Sequence, residues 1–298
     1  MDRFQLMNVF VAVAEERGFA AAARRLRISP PAVTRAVAAL EQRLGVQLLH
    51  RTTRHVRATE AGQRYLEDAR RVLADADAAD AAAAVGIDAE PRGGLAVTAP
   101  VLLGRMFVLP CIVEYLARYP HADVAAIFVD RVVSLVEERL DIGIRIGELP
   151  DSSLRAARVG SVRMVYCASP EYLQRHGTPK KPQDLAKHST IASVAGSTKS
   201  GWRFGGRTLK LAPRLTVTAN DAAIEAALRG AGITRLFSYQ VARHVERGEP
   251  KIVLERYESA PQPIHVVHRE GRNAPARVRT FVDLIVERLR ADPAVNRH

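Results

Sequence analysis

Gly18-Phe-Ala-Ala-Ala-Ala-Arg-Arg-Leu26, Arg27-Ile-Ser-Pro-Pro-Ala-Val-Thr-Arg-Ala-Val37, Leu40-Glu-Gln-Arg-Leu-Gly45, Leu48-Leu-His-Arg-Thr-Thr-Arg54 and Thr59-Glu-Ala-Gly62 make up the stretch that decides the fold. Phe19 to Leu26 reads as a short helix whose alanines permit close packing. Arg27 and Ile28 form the break. Ser29 suits an N-cap, because its hydroxyl can accept an orphan backbone N–H. Pro30 then falls at the first helical position, where its missing donor costs nothing. Val33, Val37, Leu40 and Leu44 recur at three- and four-residue spacing and define one buried face. Thr34 and Arg35 point elsewhere, and Gly45 suits a left-handed C-terminal stop. Two short helices around a tight break, then an arginine-rich segment, give the layout of a winged helix-turn-helix. Such a unit places a helix in the major groove of DNA. An ordinary helical hairpin with solubilising arginines is the structural alternative.

Charge placement argues against that alternative. Residues 17–71 carry twelve arginines (17, 24, 25, 27, 35, 43, 51, 54, 57, 64, 70 and 71) against Glu41, Glu60, Glu67 and Asp68, a net of +8. Residues 72–90 carry Asp75, Asp77, Asp80, Asp88 and Glu90 and no basic residue, a net of −5. The positive charge is therefore concentrated on the helix-turn-helix and its wing, where it supplies salt-dependent affinity for phosphates. Arg51, Arg54 and Arg57 recur every third residue, and the planar guanidinium fork suits phosphate or minor-groove contact.

The first ninety residues resemble the DNA-binding end of a LysR-type transcriptional regulator. The resemblance rests on Gly18-Phe19, Ala22-Ala23-Arg24-Arg25-Leu26, Ser29, Ala32-Val33-Thr34-Arg35, Leu40-Glu41-Gln42-Arg43-Leu44-Gly45, Leu48, Arg51 and Thr59-Glu60-Ala61-Gly62, in that order and spacing. Pro30 departs from it, since the family often carries a polar residue such as Gln there. The resemblance implies double-stranded promoter DNA as partner and Ser29, Pro31, Thr34, Arg35, Arg51, Arg54 and Arg57 as its contacts. Without the amide, weight shifts onto Thr34, Arg35 and the wing.

At 298 residues the chain exceeds a usual single domain. Its formal charge is +12, which favours a polyanionic partner. Arginine and alanine bias could produce the same figure, and the first lysine is Lys180. The apolar run Val9 to Ala14 is too short for an export signal, and Arg105 interrupts the apolar stretch 101–113, so no span is expected. These readings predict a cytoplasmic protein with no membrane partner. Cys111 and Cys167 read as buried small hydrophobes.

From Glu60 to about Val85 the sequence predicts one long helix. Leu66, Ala69, Leu73, Ala76 and Ala83 follow heptad spacing, with Tyr65, Val72 and Ala79 on the adjacent track. That stripe suits two helices in close approach, or one helix packed on its own domain. In the resembling family it is the antiparallel dimer linker. Gly86 to Gly94 reads as a hinge.

Beyond the hinge, strands are expected at Leu95–Thr98, Val124–Val129, Ile142–Ile146, Val162–Ala168, Ser189–Val194, Leu215–Val217 and Ile264–Val267. Helices are expected at 105–118, 132–138, 221–229 and 275–290. Such alternation predicts an α/β fold with largely parallel sheets, and the strands at 162–168 and 264–267 read as paired crossovers between two lobes. This half resembles the family's regulatory domain, through Val97-Thr-Ala-Pro, Leu109-Pro, Tyr119-Pro, Asp141-Ile-Gly-Ile-Arg-Ile-Gly, Cys167-Ala-Ser-Pro-Glu-Tyr-Leu, His176-Gly-Thr-Pro, Asp184-Leu, Asn220-Asp and Gly230-Ala-Gly-Ile. Phe237 departs from it, since a Pro is common there. The whole chain resembles most the branch regulating aromatic and other small-molecule metabolism.

The expected architecture is therefore α plus α/β: an N-terminal winged helix-turn-helix (1–59), a dimerising linker helix (60–87) and a C-terminal two-lobed domain (88–298) of the type-2 periplasmic-binding-protein fold. Lobe I takes about 91–162 and 268–298, lobe II about 163–267. Ligands of open α/β sheets sit beyond the carboxyl ends of strands, where helix N-termini favour anions. That places Ala99, Pro100, Val101, Arg145, Ser193, Asn220 and Thr234 at the effector site, with Asp130 and Arg131 following the second strand. A small organic or aromatic acid would suit it. Arg145 could instead pair with Asp141 or Asp130, and Asn220 could merely cap a helix.

No Gly-rich phosphate loop, metal-spaced His/Cys cluster or Gly-x-Ser-x-Gly elbow occurs. No catalytic residue, metal or cofactor is expected, and the chain reads as no enzyme. A transport-type binding protein would share the second module but not the arginine-rich first one. A DNA-packaging protein would not need a pocket. The family resemblance further implies a homodimer or homotetramer and contact with RNA polymerase.

Overall fold

The computed structural model describes residues 1–51, 56–85, 90–149, 154–195, 201–204, 207–269 and 274–296; the side chains of 51, 75 and 77–85 also lie outside the description. The chain divides into two compact units, Met1–Gly94 and Leu95–His298.

In the first unit α1 (Arg3–Glu16), α2 (Phe19–Leu26) and α3 (Pro30–Leu44) precede a two-stranded wing, β1 (Leu49–Arg51) and β2 (Val56–Ala58), and the long α4 (Glu60–Val85). The wing strands pair antiparallel, Leu49 opposite Ala58. Phe10, Val13, Ala22, Val33, Val37 and Leu40 fill one core with Leu48 and Leu49. Leu44 at the end of α3, expected on the buried face, is exposed, and so is Phe4 near the start of α1. Ala36 takes the buried position instead.

Helix α4 runs over the predicted span, but its apolar stripe is used differently. Leu66 and Ala69 are buried in the core of this same unit, and Tyr65 and Leu73 pack against it. The first half of the expected dimer seam thus faces its own domain. Val72 is exposed. The seam positions Ala79 and Ala83, and residues 86–89 of the hinge, lie outside the described side chains or residues.

The second unit holds two five-stranded sheets. Their strands are β3 (Gly93–Ala99), β4 (Ala122–Phe128), β5 (Ile142–Ile146), β6 (Arg155–Val162), β7 (Met164–Ala168), β8 (Thr190–Ser193), β11 (Leu215–Val217), β12 (Ile233–Phe237), β13 (Lys251–Val253) and β14 (Gln262–His268). The order is β4-β3-β5-β14-β6 in one sheet and β11-β8-β12-β7-β13 in the other. A separate hairpin joins β9 (Trp202–Phe204) to β10 (Arg207–Leu209). Helices α7 (Pro170–His176), α8 (Asn220–Leu228), α9 (Ser238–Glu246) and α10 (Ala276–Ala291) complete the unit.

Both sheets are mixed rather than largely parallel. β3 runs parallel to β5, and β8 to β11 and β12, as helical crossovers require. β14 runs antiparallel to β5 and β6, and β12 and β13 run antiparallel to β7. The antiparallel pairs arise where the chain changes sheets. The predicted strand 162–168 is split at Arg163, with β6 ending in the first sheet and β7 starting in the second. The return occurs between β13 and β14. All of β14 lies in the first sheet, so the lobe boundary expected at 267/268 falls inside a strand.

Two helices differ from expectation. The one after β3 begins at Val101 and passes through a π-helical turn, Gly104–Val108, before its regular segment, α6 (Leu109–Arg118); Val101–Leu103 is α5. Gly104 is required there, because a Cβ would stand 2.4 Å from the Phe128 ring. Residues 132–138 form an extended run and a hydrogen-bonded turn, not a helix. That turn closes on Arg139 in the left-handed region, with Leu140 N–H donating to Leu135.

Candidate DNA-binding surface and effector cleft

The break between α2 and α3 is made by Arg27, held at φ 55°, whose N–H closes back on the end of α2. Ser29 occupies the N-cap position of α3 with extended backbone, but its hydroxyl makes no cap hydrogen bond. The tandem prolines explain this. Pro30 and Pro31 remove two of the orphan donors that a cap would satisfy, and the N–H groups of Ala32 and Val33 go to the Ser29 carbonyl. Opposite the buried Val33, Ala36, Val37 and Leu40, α3 exposes Ser29, Pro31, Thr34 and Arg35. Thr34 donates its hydroxyl proton to the Pro30 carbonyl at 3.2 Å. Its methyl and remaining lone pairs stay available to a partner.

The wing is anchored by two side chains. Glu41 Oε1 accepts the N–H groups of Leu48 at 2.8 Å and Leu49 at 3.1 Å, fixing where β1 begins. Thr59 caps α4 by accepting the Gly62 N–H at 2.9 Å and donates to the Gln47 carbonyl at 2.8 Å. Gly62 lies so close to the wing that a Cβ would fall 1.9 Å from the Leu48 carbonyl oxygen. The Thr-Glu-Ala-Gly motif is therefore a clasp between wing and α4. Glu15 ties α1 to α2 and α4 through Arg25 at 2.6 Å and Arg70 at 2.8 Å. Burial disfavours the charged Glu15, but the hydrogen bonds from Arg25 and Arg70 outweigh it and hold its pKa low. Arg57 on β2 is exposed. Arg54 and the Arg51 side chain lie outside the described residues.

In the second unit a cavity of about 270 Å³ opens beyond the carboxyl ends of β3, β4 and β5. Ala99, Pro100, Arg145 and Asn220 line it, as expected. Three expected residues do not. Thr234 is fully buried inside β12 and donates to the Ile191 carbonyl at 3.3 Å. Ser193 ends β8 and its hydroxyl accepts the Ala195 N–H at 3.4 Å; Ala195 lines the cavity in its place. The side chain of Val101 is turned outward, while its N–H donates to Asp130 Oδ1 at 3.1 Å.

Sequence reasoning left out Tyr239 and Gln240, which with Phe237 form the far wall at the junction of β12 and α9. Gln240 is buried; it accepts the Phe237 N–H at 2.9 Å and donates to the Tyr239 hydroxyl at 3.4 Å. A buried Gln one residue after a buried Tyr has no periodic signature that separates it from a surface position. Burial also pushes the Tyr239 phenol up. Val132, Val133 and Leu149 add apolar wall.

Part of the charged lining is already engaged. Arg131 makes two hydrogen bonds to Glu138, at 2.5 and 3.0 Å. Arg145 Nη2 donates to the Val133 carbonyl at 2.6 Å, pinning the extended run after β4. Asp130 Oδ2 stands 3.5 Å from the Asn220 amide nitrogen, across from the second sheet. Burial, then repulsion from Asp221, raises the Asp130 carboxyl above its usual range despite the Val101 N–H.

A helix-turn-helix with a clasped wing, followed by two mixed sheets around a small polar-ended cavity, defines a ligand-responsive DNA-binding regulator. Residues 4–63 match the bacterial regulatory helix-turn-helix protein, lysR family, and residues 88–290 match the LysR substrate binding domain. The chain belongs to the LysR family of transcriptional regulators. It is 32% identical over 287 residues to the HTH-type transcriptional regulator CrgA of Neisseria meningitidis serogroup B, covering 95% of this chain and 96% of the relative. It is 32% identical over 291 residues to the HTH-type transcriptional activator AaeR of Escherichia coli K12, covering 96% and 94%. The solved structure of CrgA aligns with a TM-score of 0.61 at 33% identity, over 96% of this chain and 98% of that one. These relatives are regulators rather than enzymes. Among the described residues no helix is long and apolar enough to cross a membrane.

Proposed function

We propose that this regulator binds promoter DNA through Ser29, Pro31, Thr34 and Arg35 on α3 and through the wing arginines Arg51, Arg54 and Arg57, and that a small organic or aromatic acid in the cleft controls it. The observation that carries the reading is the cavity bounded by Arg145 and Asn220, in a chain whose α3 exposes Thr34 and Arg35. Its volume suits a molecule smaller than most drugs. Arg145 has N–H groups beyond the one given to Val133, and these suit a carboxylate. The chain works in the cytoplasm as a homodimer or homotetramer paired through α4, in contact with RNA polymerase. Effector binding between the lobes changes how the dimers pair, and so DNA bending.

Ala99→Trp tests the cleft. Ala99 is buried at the cavity edge, so the indole fills the space a ligand needs. A thermal-shift screen of small acids on the full chain should give a hit that the variant loses, while gel shifts without effector stay unchanged. A variant that binds the hit with wild-type affinity removes the cleft from the account.

A further inference from the structure

We propose that Asp130 determines which ligands the cleft accepts: its carboxylate fills the seat at the start of the helix after β3, and the ligand presents a hydrogen-bond donor, a hydroxyl or an amine, to that carboxylate. The inference rests on the cleft being the effector site and adds the chemistry of one end of the ligand.

A helix start usually attracts an incoming anion. Here that place is taken by the protein itself, because Asp130 Oδ1 accepts the Val101 N–H at 3.1 Å. The other oxygen reaches the Asn220 amide only at 3.5 Å, a long contact that leaves its lone pairs open to the cavity. A ligand carboxylate entering beside it would meet like charge, with Asp221 and Glu148 adding to the negative potential. The cations of the lining do not cancel Asp130 directly. Arg131 is held by Glu138, and Arg145 is drawn to Val133. Among the described neighbours of Asp130, the donors that reach it are a backbone N–H and an amide. A ligand hydroxyl or ammonium adds a close donor to the oxygen that Asn220 reaches only at long range, and hydrogen bonds to charged groups are the stronger kind. An acid-bearing ligand then lies with its carboxylate toward Arg145 and its donor toward Asp130.

Calorimetry on the full chain with four kinds of aromatic probe tests this: benzoate, the three hydroxybenzoates, benzyl alcohol and benzylamine. In the wild type at least one hydroxybenzoate should bind roughly tenfold or more tighter than benzoate. In Asp130→Ala that preference should vanish, benzylamine binding should be lost, and benzoate should bind tighter than before. Asp130→Asn keeps an acceptor for Val101 N–H and so guards against misfolding; it should lose benzylamine and keep part of the hydroxyl preference. Measurable but equal binding of benzoate and every hydroxybenzoate by the wild type, a preference that survives in Asp130→Ala, or no donor-bearing probe bound at all would each overturn the proposal. If benzylamine or benzyl alcohol binds through Asp130 and no acid binds, the acid reading falls and this one stands. If benzoate binds and Asp130 makes no difference, the reverse holds.

Discussion

Glu41→Ala should unfold the DNA-binding unit at a lower temperature and leave the other unit untouched. One Glu41 oxygen accepts the N–H groups of Leu48 and Leu49, both at buried residues. A hydrogen bond to a charged group is worth about 1.5–3 kcal/mol, and an unsatisfied buried donor carries a similar penalty. Partial exposure of Glu41 places the pair near the lower end, about 2–3 kcal/mol in all. For a unit of this size, 1 kcal/mol corresponds to roughly 4–8 °C in Tm, so the shift should be about 10–20 °C. The assay has an internal control. Trp202 is the single tryptophan and lies in the second unit. Its fluorescence transition should not move, while far-UV circular dichroism loses the N-terminal helices early and amide exchange rises at residues 46–51. Glu41→Gln retains the acceptor oxygen and should lose about half as much. If Glu41→Ala melts within about 2 °C of the wild type, the carboxylate does not hold the wing. If both transitions move together, the two units do not have independent cores.

Gly62→Ala forces a methyl against the Leu48 carbonyl oxygen and should cost about 1–3 kcal/mol; a wild-type melting temperature would mean that wing and α4 are not clasped there. Glu15 has a lowered pKa, so its stabilisation is present above the ordinary carboxylate range and is lost as pH falls through the lowered value. Melting curves of wild type and Glu15→Gln should therefore differ at pH 7 and converge in acid; a gap that widens in acid would contradict this. On α4, Leu73→Glu should lower the melting temperature of the first unit, because Leu73 packs on that unit's own core. Val72→Glu, at an exposed position, should instead weaken dimers in sedimentation; an unchanged dimer would move the seam elsewhere along the helix.

The first unit was legible in the sequence because its signals are local. A cap position, two prolines, a glycine stop and three- and four-residue spacing fix α3 within a few residues of where it stands. What misled was the assumption that each signal has its usual use. Ser29 sits at the cap position yet caps nothing, because the prolines behind it had already removed the donors. Leu66 and Ala69 keep heptad spacing yet pack inward, since a stripe does not say which surface it meets. In the second unit β3, β4, β5, β7, β8, β11 and β14 were legible, but β6, β12, β13 and the β9–β10 hairpin were not, and neither was the pairing. The crossover at 162–168 was legible and the expected lobe boundary at 162/163 falls where the chain changes sheets, but the antiparallel direction in which β7 and β14 pair depends on contacts far apart in sequence. The cleft followed from the rule about strand ends, which found Ala99, Pro100, Arg145 and Asn220. Thr234 failed because its alternation points it into the sheet interior. Gln240 and Tyr239 were missed because they come from a helix that the hydropathy pattern did not disclose. The stretch 132–138 has helix-like spacing of valines, but its β-branched residues favour the extended run at 132–134 and a left-handed Arg139 closes the rest as a turn.

Selection of binding sequences from random duplex DNA by the full chain tests the central claim most directly. The account predicts a dyad-related pair of half-sites, since dimeric helix-turn-helix proteins read two turns of one duplex face. Arg35→Ala should lose preference at one position in each half-site, at a cost of about 1–3 kcal/mol. Recovery of no enriched motif, or of the same motif with the same preference from Arg35→Ala, would contradict the assignment of α3 as the reading helix.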